Sequence, residues 1–212
     1  QDVLVVDGHR RAAGQEDEIG QLRRELNEAW EERAAIADVL KTISQSSFDL
    51  QSVLDSLVQI AAGLCEAKRG VIFRREGDLY QGVAFYNASS ELIDFIKDHP
   101  IAPGRHSITA RVALDRRTIH VADLQADAEY KYALRDIDPI RTELGVPMFR
   151  GDDLIGVFIL YKLKVEPFTD KQIDLVKNFA AQAVIAIENT RLLNELRDSL
   201  DRQTATSHVL EV

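Results

Sequence analysis

Residues 144–161 read Leu-Gly-Val-Pro-Met-Phe-Arg-Gly-Asp-Asp-Leu-Ile-Gly-Val-Phe-Ile-Leu-Tyr, and this stretch decides the fold. Gly151-Asp152 is a typical turn between two apolar runs, which predicts a β-hairpin. The second run, residues 154–161, is almost continuously apolar, so we expect this strand at the centre of a sheet. Pro147 cannot donate a ladder hydrogen bond and predicts limited pairing at that point of the first strand.

The segments on either side of this hairpin predict a mixture of strands and helices. An earlier hairpin is expected around Gly77-Asp78, and a helix starting with Ser107 as its N-cap is expected before a short strand. A long last helix is predicted with Thr169 as its N-cap. The fold class is therefore α+β, an antiparallel sheet flanked by helices. We expect helices over residues 50–67, 89–98, 107–116, 127–136 and 169–212, and strands over residues 70–74, 79–86, 118–121, 144–149 and 154–161.

The two ends of the chain resemble each other. Six positions coincide after a shift of 170 residues: Leu22/Leu192, Glu25/Glu195, Leu26/Leu196, Ala35/Ala205, Val39/Val209 and Leu40/Leu210. We interpret them as similar helical segments that enter and leave one domain, as in modules arranged in series. The alternative is two helices that are alike only in composition.

The first of these segments has apolar side chains at alternating intervals of three and four residues between positions 19 and 43. This heptad spacing predicts a coiled coil, with Arg33 as the polar interruption. We expect a parallel homodimer that also uses residues 185–212. The predicted interface residues are Leu22, Leu26, Ala29, Arg33, Ile36, Leu40, Leu192, Leu196 and Leu200.

These patterns divide the chain into four parts. Residues 1–18 form a polar, flexible N-terminal segment, and residues 19–46 form a helix of coiled-coil type. Residues 48–190 form the globular domain, and residues 191–212 are interpreted as the start of a following repeat. The sequence begins with Gln and ends within a helical pattern, so we expect it to be a piece of a longer protein.

Composition and charge limit the kinds of partner. A net charge of -9 argues against nucleic acid, because phosphate binding needs a concentrated basic surface. No window of 18 apolar residues is present, so we expect no membrane contact from this fragment. Cys65, the one cysteine, excludes a disulfide framework and fits a reducing compartment, which predicts a cytoplasmic location.

The order of elements and three local motifs resemble the GAF domain family over about residues 48–190. The motifs are residues 113–123, the central hairpin 144–157, and residues 166–189 with their Glu-Pro-Phe-Thr start. The resemblance implies about five or six antiparallel strands, terminal helices on one face and a small-molecule pocket on the other. It also implies a regulatory input module of a bacterial signalling protein, such as a tandem-GAF sensor of a histidine kinase or nucleotide cyclase. Any catalytic output domain would lie outside this chain.

A regulatory pocket needs apolar walls and a few polar groups that fix the orientation of the ligand. Backbone N–H groups near Ser107, with Arg111 one turn later, are suited to an anion. The alternative is that Phe85 and Met148 fill the core and the arginines are surface charges. The predicted ligand-binding residues are Phe85, Ser107, Arg111, Tyr130, Tyr132, Arg141 and Met148.

The ligand chemistries known in this family match the chain poorly. Cyclic-nucleotide-binding members carry an Asn-Lys…Phe…Asp-Glu signature. Here Tyr161-Lys162 stands at the first pair, Phe168 is kept, and Gln172-Ile173 replaces the acidic pair. Cys65 lies away from any histidine, so we interpret it as a small buried hydrophobe rather than a bilin attachment site. Members that reduce methionine sulfoxide need several cysteines for thiol exchange, and this chain has one.

The histidines His99, His106 and His120 lack the spacing of metal ligands, so no zinc site is predicted. His106 is interpreted as a surface or pocket-rim residue, with haem ligation as the alternative. No Ser-His-Asp, paired-carboxylate or phosphate-loop pattern is present, and we expect no enzymatic activity. The cofactor is unknown. Two functions stay open: a sensor of a small ligand, or a ligand-free dimerisation module that relays signals from neighbouring domains.

Overall fold

The computed structural model describes residues 50–210, without the side chains of residues 135, 136, 201 and 204–210. Within that range the strands are β1 (Arg69–Glu76), β2 (Leu79–Tyr86), β3 (Ile119–Val121), β4 (Thr142–Arg150) and β5 (Asp153–Lys162). The helices are α1 (Leu50–Leu64), α2 (Ser90–Asp98), α3 (Ile108–Asp115), α4 (Leu134–Ile137) and α5 (Asp170–Leu210), with a 3₁₀ turn at Leu124–Ala126. The predicted coiled-coil helix over residues 19–46, with its interface residues Leu22, Leu26, Ala29, Arg33, Ile36 and Leu40, lies outside the described residues.

The central hairpin predicted from residues 144–161 forms the middle of the sheet. The strand order is β2-β1-β5-β4-β3 and all pairs are antiparallel. β5 is the central strand, as expected, and only its first residue is exposed. Gly77 and Gly151 adopt the positive φ that the hairpin turns require. Pro147 lies beyond the end of β3, which pairs only with residues 143–145, so its missing N–H leaves no partner unsatisfied on that side.

The two faces of the sheet have different covers. α1 and α5 pack together on one face, and α5 also packs on β4. α2 and α3 lie on the other face, where a Cβ on Gly145 would come within 2.8 Å of Ile108 in α3. Because side chains of a strand alternate, β4 directs Glu143 and Gly145 towards α3, and Leu144, Val146 and Met148 towards α1 and α5.

A reciprocal capping box fixes the start of α5. Thr169 Oγ1 accepts from the backbone N–H of Gln172 at 3.3 Å, and Gln172 Oε1 accepts from the Thr169 N–H at 3.0 Å. Gln172 Nε2 also donates to the carbonyl oxygen of Cys65, just after α1, at 3.2 Å. Thr169 is therefore the N-cap that the sequence predicts, and Gln172 joins the two helices of this face.

The far half of α5 extends past its packing surface. Among the described side chains of this helix, Ala186 is the last buried one, and residues 191–200 are all exposed. Leu192, Leu196 and Leu200 are 53%, 58% and 52% exposed, unusually much for leucine in a folded domain. None of the helices within residues 50–210 has an apolar stretch that could cross a membrane.

One predicted helix is wrong. Residues 127–136 do not form a continuous helix: the 3₁₀ turn precedes them, and α4 covers only Leu134–Ile137. Asp127 Oδ1 accepts from the backbone N–H of Glu129 at 2.9 Å, and this local side-chain bond favours a turn over a helix. The carboxylate of Asp127 also binds Arg111 in α3, which holds the segment against the domain.

Candidate functional site

A small cavity lies between the α3-side face of the sheet and the chain that crosses over it. Its volume is about 10 Å³, close to the smallest space that can hold one water molecule. Its apolar walls include Val71 and Phe73 of β1, Ile96 and Ile101, Leu134 of α4 and Ile159 of β5. The polar side chains lining it are Ser107, Thr109, Tyr132, Glu143 and Tyr161.

Glu143 is the unusual member of this set. Its position on β4, two residues before Gly145, turns the side chain towards α3, and the residue is 5% exposed. Among the described residues, Glu143 Oε2 is the single buried side-chain oxygen or nitrogen without a hydrogen-bond partner. A buried carboxyl oxygen without a hydrogen-bond partner costs folding free energy, which makes Glu143 a candidate functional residue.

The electrostatics of the cavity follow from this burial. Burial raises the pKa of Glu143 to about 8, and the charge of Arg111 only partly opposes the effect. Burial, together with the nearby Glu143 charge, raises the pKa of Tyr132 to about 12. The same two causes contribute to raised pKa values at Tyr130 and Tyr161. Glu143 is therefore surrounded by three tyrosines and one arginine.

Three donor side chains near Glu143, those of Tyr161, Tyr132 and Arg111, bind other groups of the protein. The Tyr161 hydroxyl donates to Asp138 Oδ2 at 3.0 Å, and the Tyr132 hydroxyl donates to the His99 carbonyl at 3.4 Å. Arg111 donates from Nη2 to Asp127 Oδ1 at 3.0 Å and from Nε to the Arg105 carbonyl at 2.8 Å. The free acceptor capacity of Glu143 thus faces the cavity.

Residues 122–141, which we call the cover segment, close the cavity from the outside. Asp123 binds Arg141 at 2.9 Å, which ties the two ends of the segment together. Asp127 binds Arg111 of α3, and Asp138 Oδ1 accepts from Arg69 Nη2 of β1 at 3.3 Å. Tyr132 and Leu134 of the cover segment line the cavity, so its position controls access to Glu143.

The seven predicted ligand-binding residues lie in different places. Ser107 and Tyr132 line the cavity, and Arg111 and Tyr130 adjoin Glu143. The other three residues do not line the cavity: Arg141 pairs with Asp123 in the cover segment, Phe85 lies in an open groove beside α2 at the edge strand β2, and Met148 is buried on the α1–α5 face.

Sequence analysis missed Glu143, Thr109 and Tyr161. The predicted strand starts at residue 144, whereas β4 starts at Thr142 and so includes Glu143. The available signal was its spacing: it stands two residues before Gly145 and so shares that face of the strand. Tyr161 stands at the position of the nucleotide signature, and Thr109 follows the N-cap Ser107 by two residues, and neither pattern points to this cavity.

The cysteine and the histidines have structural surroundings. Cys65 is buried, as predicted, and burial raises the pKa of its thiol to about 11. The His106 ring lies at the edge of the Tyr132 ring, beside the cavity. His120 Nε2 accepts from the backbone N–H of Phe168 at 3.1 Å. No three His, Cys, Asp or Glu side chains in the described part of the chain are grouped to hold a metal ion.

The chain belongs to the GAF domain family, whose profile matches residues 48–188. Solved structures with the same fold include a GAF domain from a phosphoenolpyruvate-protein phosphotransferase of Coxiella burnetii, with 17% identity and a TM-score of 0.64. That alignment covers 75% of this chain and 96% of the other.

Two further structures resemble this one. A domain of a protein described as a two-component sensor histidine kinase of Sinorhizobium meliloti has 20% identity and a TM-score of 0.57, covering 70% of this chain and 97% of the other. A free methionine-R-sulfoxide reductase of Neisseria meningitidis has 15% identity and a TM-score of 0.61, covering 73% and 87%. At these identities the likeness shows the fold, which serves both regulatory proteins and an enzyme.

Proposed function

We propose that this chain is a regulatory sensor module that binds a small ligand in the cavity at Glu143. The observation that carries the proposal is the buried, unpaired Glu143 carboxyl in a cavity lined by hydroxyl groups and apolar side chains. A core position that served packing alone would gain stability from an apolar side chain of similar size. The family membership supports the regulatory part of the proposal, because related domains occur in proteins described as a sensor kinase and a chemotaxis protein.

The size of the cavity makes ligand binding and conformational change inseparable. A space for about one water molecule cannot take a metabolite while the cover segment stays in place. The ligand therefore binds a form in which the cover segment has moved, and it shifts the population towards that form. The ion pairs of Asp127 and Asp138 are the contacts that this movement changes.

The signal leaves through α5, in our proposal, by way of a parallel homodimer in the cytoplasm. The leucines at positions 192, 196 and 200 supply an apolar stripe on a helix that extends beyond the domain. A helix of this kind is stabilised by a partner rather than by its own propensity. A second copy of the chain is the partner we propose, in a tandem arrangement that feeds an output domain.

We propose no catalytic activity for the module. Thiol chemistry requires an accessible thiolate, whereas Cys65 is buried and burial raises its pKa to about 11. The competing function is a ligand-free dimerisation module, in which the domain relays signals from its neighbours.

Ligand detection separates these two functions. We expect native mass spectrometry of the purified protein, or a thermal-shift screen of metabolites, to find a ligand. A ligand at about 100 times its Kd adds about 2.7 kcal/mol to the stability of the folded state. The stabilisation should be smaller in Thr109→Val, which alters the cavity wall, and unchanged in Thr190→Val, which alters a hydroxyl on α5 that bonds to Ala186.

Equal stabilisation of both variants would place the ligand elsewhere on the domain. A complete screen without a stabilising compound, with no bound mass in the native spectrum, would reject the sensor function in favour of the relay.

A further inference from the structure

We propose that the ligand is a small organic cation whose protonated nitrogen pairs with Glu143. This inference rests on the proposed function, since it names the chemical class bound at the same cavity. Ammonium, amidinium and guanidinium groups belong to this class. Three independent observations support it: the charge balance around the cavity, the engagement of its donors, and the aromatic side chains that line it.

The first observation is the charge balance of the side chains that the structure describes around the cavity. Among the described side chains, Glu143 lines the cavity, and Asp127, Glu129 and Asp138 belong to the cover segment beside it. Arg111 neutralises Asp127 and Arg69 neutralises Asp138. Among the side chains that the structure describes, none forms an ion pair with Glu143, and its Oε2 accepts no hydrogen bond. A cationic ligand would supply an ion-pair partner, and a buried charge pair with good geometry avoids the penalty of an isolated carboxylate.

The engagement of the donors argues against an anionic ligand. Arg111 lies between Asp127 and Glu129, whose Oε2 is 3.9 Å from Arg111 Nε. Ser107 Oγ accepts from the Ala110 N–H at 3.1 Å as the N-cap of α3. The anion site that the sequence predicted at Ser107 and Arg111 is therefore already satisfied within the protein. The atom that lacks a hydrogen-bond partner is the acceptor Oε2 of Glu143, so we infer that the ligand supplies hydrogen-bond donors.

The aromatic lining suits a cation as well. Phe73, Tyr132 and Tyr161 line the cavity together with Glu143. Aromatic rings attract ammonium and guanidinium groups through their quadrupole, most strongly where water is excluded. An acidic group among aromatic rings thus combines a charge partner with walls that tolerate a positive charge.

The affinity for a cation should depend on pH because Glu143 must lose its proton to pair. The charged and titratable groups facing it are Arg111 from α3, Tyr130 and Tyr132 from the cover segment, and Tyr161 from β5. The pKa values of all three tyrosines are raised, so these groups stay protonated. Binding should therefore strengthen as the pH rises towards and through about 8, where Glu143 ionises.

Matched small probes test the charge of the ligand. We would titrate the full chain with methylammonium against methanol, and with guanidinium against urea, at millimolar concentrations, and follow the ¹⁵N–¹H signals of Thr109, Leu134 and Glu143. We expect the cations to shift these signals and the neutral probes not to. Glu143→Gln should weaken cation binding by about tenfold or more, whereas Glu76→Gln, an exposed control carboxyl, should leave it unchanged.

The outcomes distinguish this inference from the proposed function. Binding of cations that persists in Glu143→Gln would overturn the pairing with Glu143. Shifts produced by urea or methanol but not by the cations would overturn the charge of the ligand and leave a sensor cavity in place. Cavity signals that respond to no probe, together with a metabolite screen without a hit, would overturn both.

Discussion

Glu143 holds its proton more tightly in the folded state than in the unfolded chain, so its contribution to folding stability decreases as the pH rises. Burial raises its pKa from 4.5 to about 8. Between these two values the folded protein holds the proton while the unfolded chain has released it, so rising pH favours unfolding. In our proposal, pairing with a cationic ligand offsets the free energy that the ionisation of buried Glu143 would otherwise cost.

We predict that Glu143→Gln flattens this dependence. From about pH 5 to about pH 8, the free energy of unfolding of the wild type should fall relative to the variant by up to about 1.4 kcal/mol per pH unit. The full stabilising contribution is present below the unfolded pKa and is lost as the pH passes through the folded pKa. Urea unfolding of both proteins across this interval measures the difference. Parallel curves would contradict it, because Glu143 would then be ionised and paired in the folded state.

At the scale of single elements, the start of α5 depends on one side chain with two roles. Gln172 stands where the cyclic-nucleotide signature of the family has an acidic residue. It completes the capping box with Oε1 and donates to Cys65 with Nε2. A glutamate keeps the first role but cannot perform the second, because an ionised carboxylate has no proton to donate.

We predict that Gln172→Glu costs about 1 kcal/mol of unfolding free energy, and that Gln172→Ala costs about 1–2 kcal/mol, because the alanine also removes the cap. Urea denaturation midpoints at constant m-value give both numbers. Lys171→Ala, at the exposed neighbouring position, serves as the control and should stay within about 0.5 kcal/mol of the wild type. Equal stabilities of all four proteins would show that the bonds of Gln172 contribute nothing.

The elements differ in how far local sequence determines them. The central hairpin was predictable because its turn, its apolar run and Pro147 all indicate the same structure, and the central place of β5 follows from its unbroken apolar pattern. The cover segment was not predictable. Its shape depends on Arg111 and Arg69, which lie outside the segment and pull Asp127 and Asp138 onto the domain, and no window of neighbouring residues contains that information.

At the scale of the whole molecule, the exposed leucines of α5 predict association. We expect Leu196→Cys, in a Cys65→Ala background, to form a disulfide-linked dimer under mild oxidation, because a parallel pair of helices brings the same position of both chains together. Asp198→Cys is the matched control, since two residues turn the helix by about 200° and place that position on the opposite side.

The same proteins without oxidant should be dimeric by light scattering at tens of micromolar. Equal cross-linking of the two positions would place the interface elsewhere on α5. A monomer in solution would reject the dimer.

The candidate site was predictable only in part for a related reason. Ser107, Arg111, Tyr130 and Tyr132 were identified from the resemblance, and each lies at or beside the cavity. Glu143 could not be identified from the sequence because its importance depends on the charged groups that surround it in the folded domain. The charged groups that surround Glu143 come from β1, α3 and the cover segment. Only the folded domain shows which of the described carboxyl groups pair with an arginine and which does not.

The alternation of side chains along β4 determines how far a change at the cavity must travel to reach the opposite face of the sheet. Glu143 faces the cavity, and Leu144, its immediate neighbour, faces the helices on the other side. In the function that we propose, the ligand-binding face and the helix-bearing face are therefore separated by one peptide unit rather than by the thickness of a domain. A shift of this strand by a fraction of an ångström would displace the side chains on both faces of the sheet at the same time.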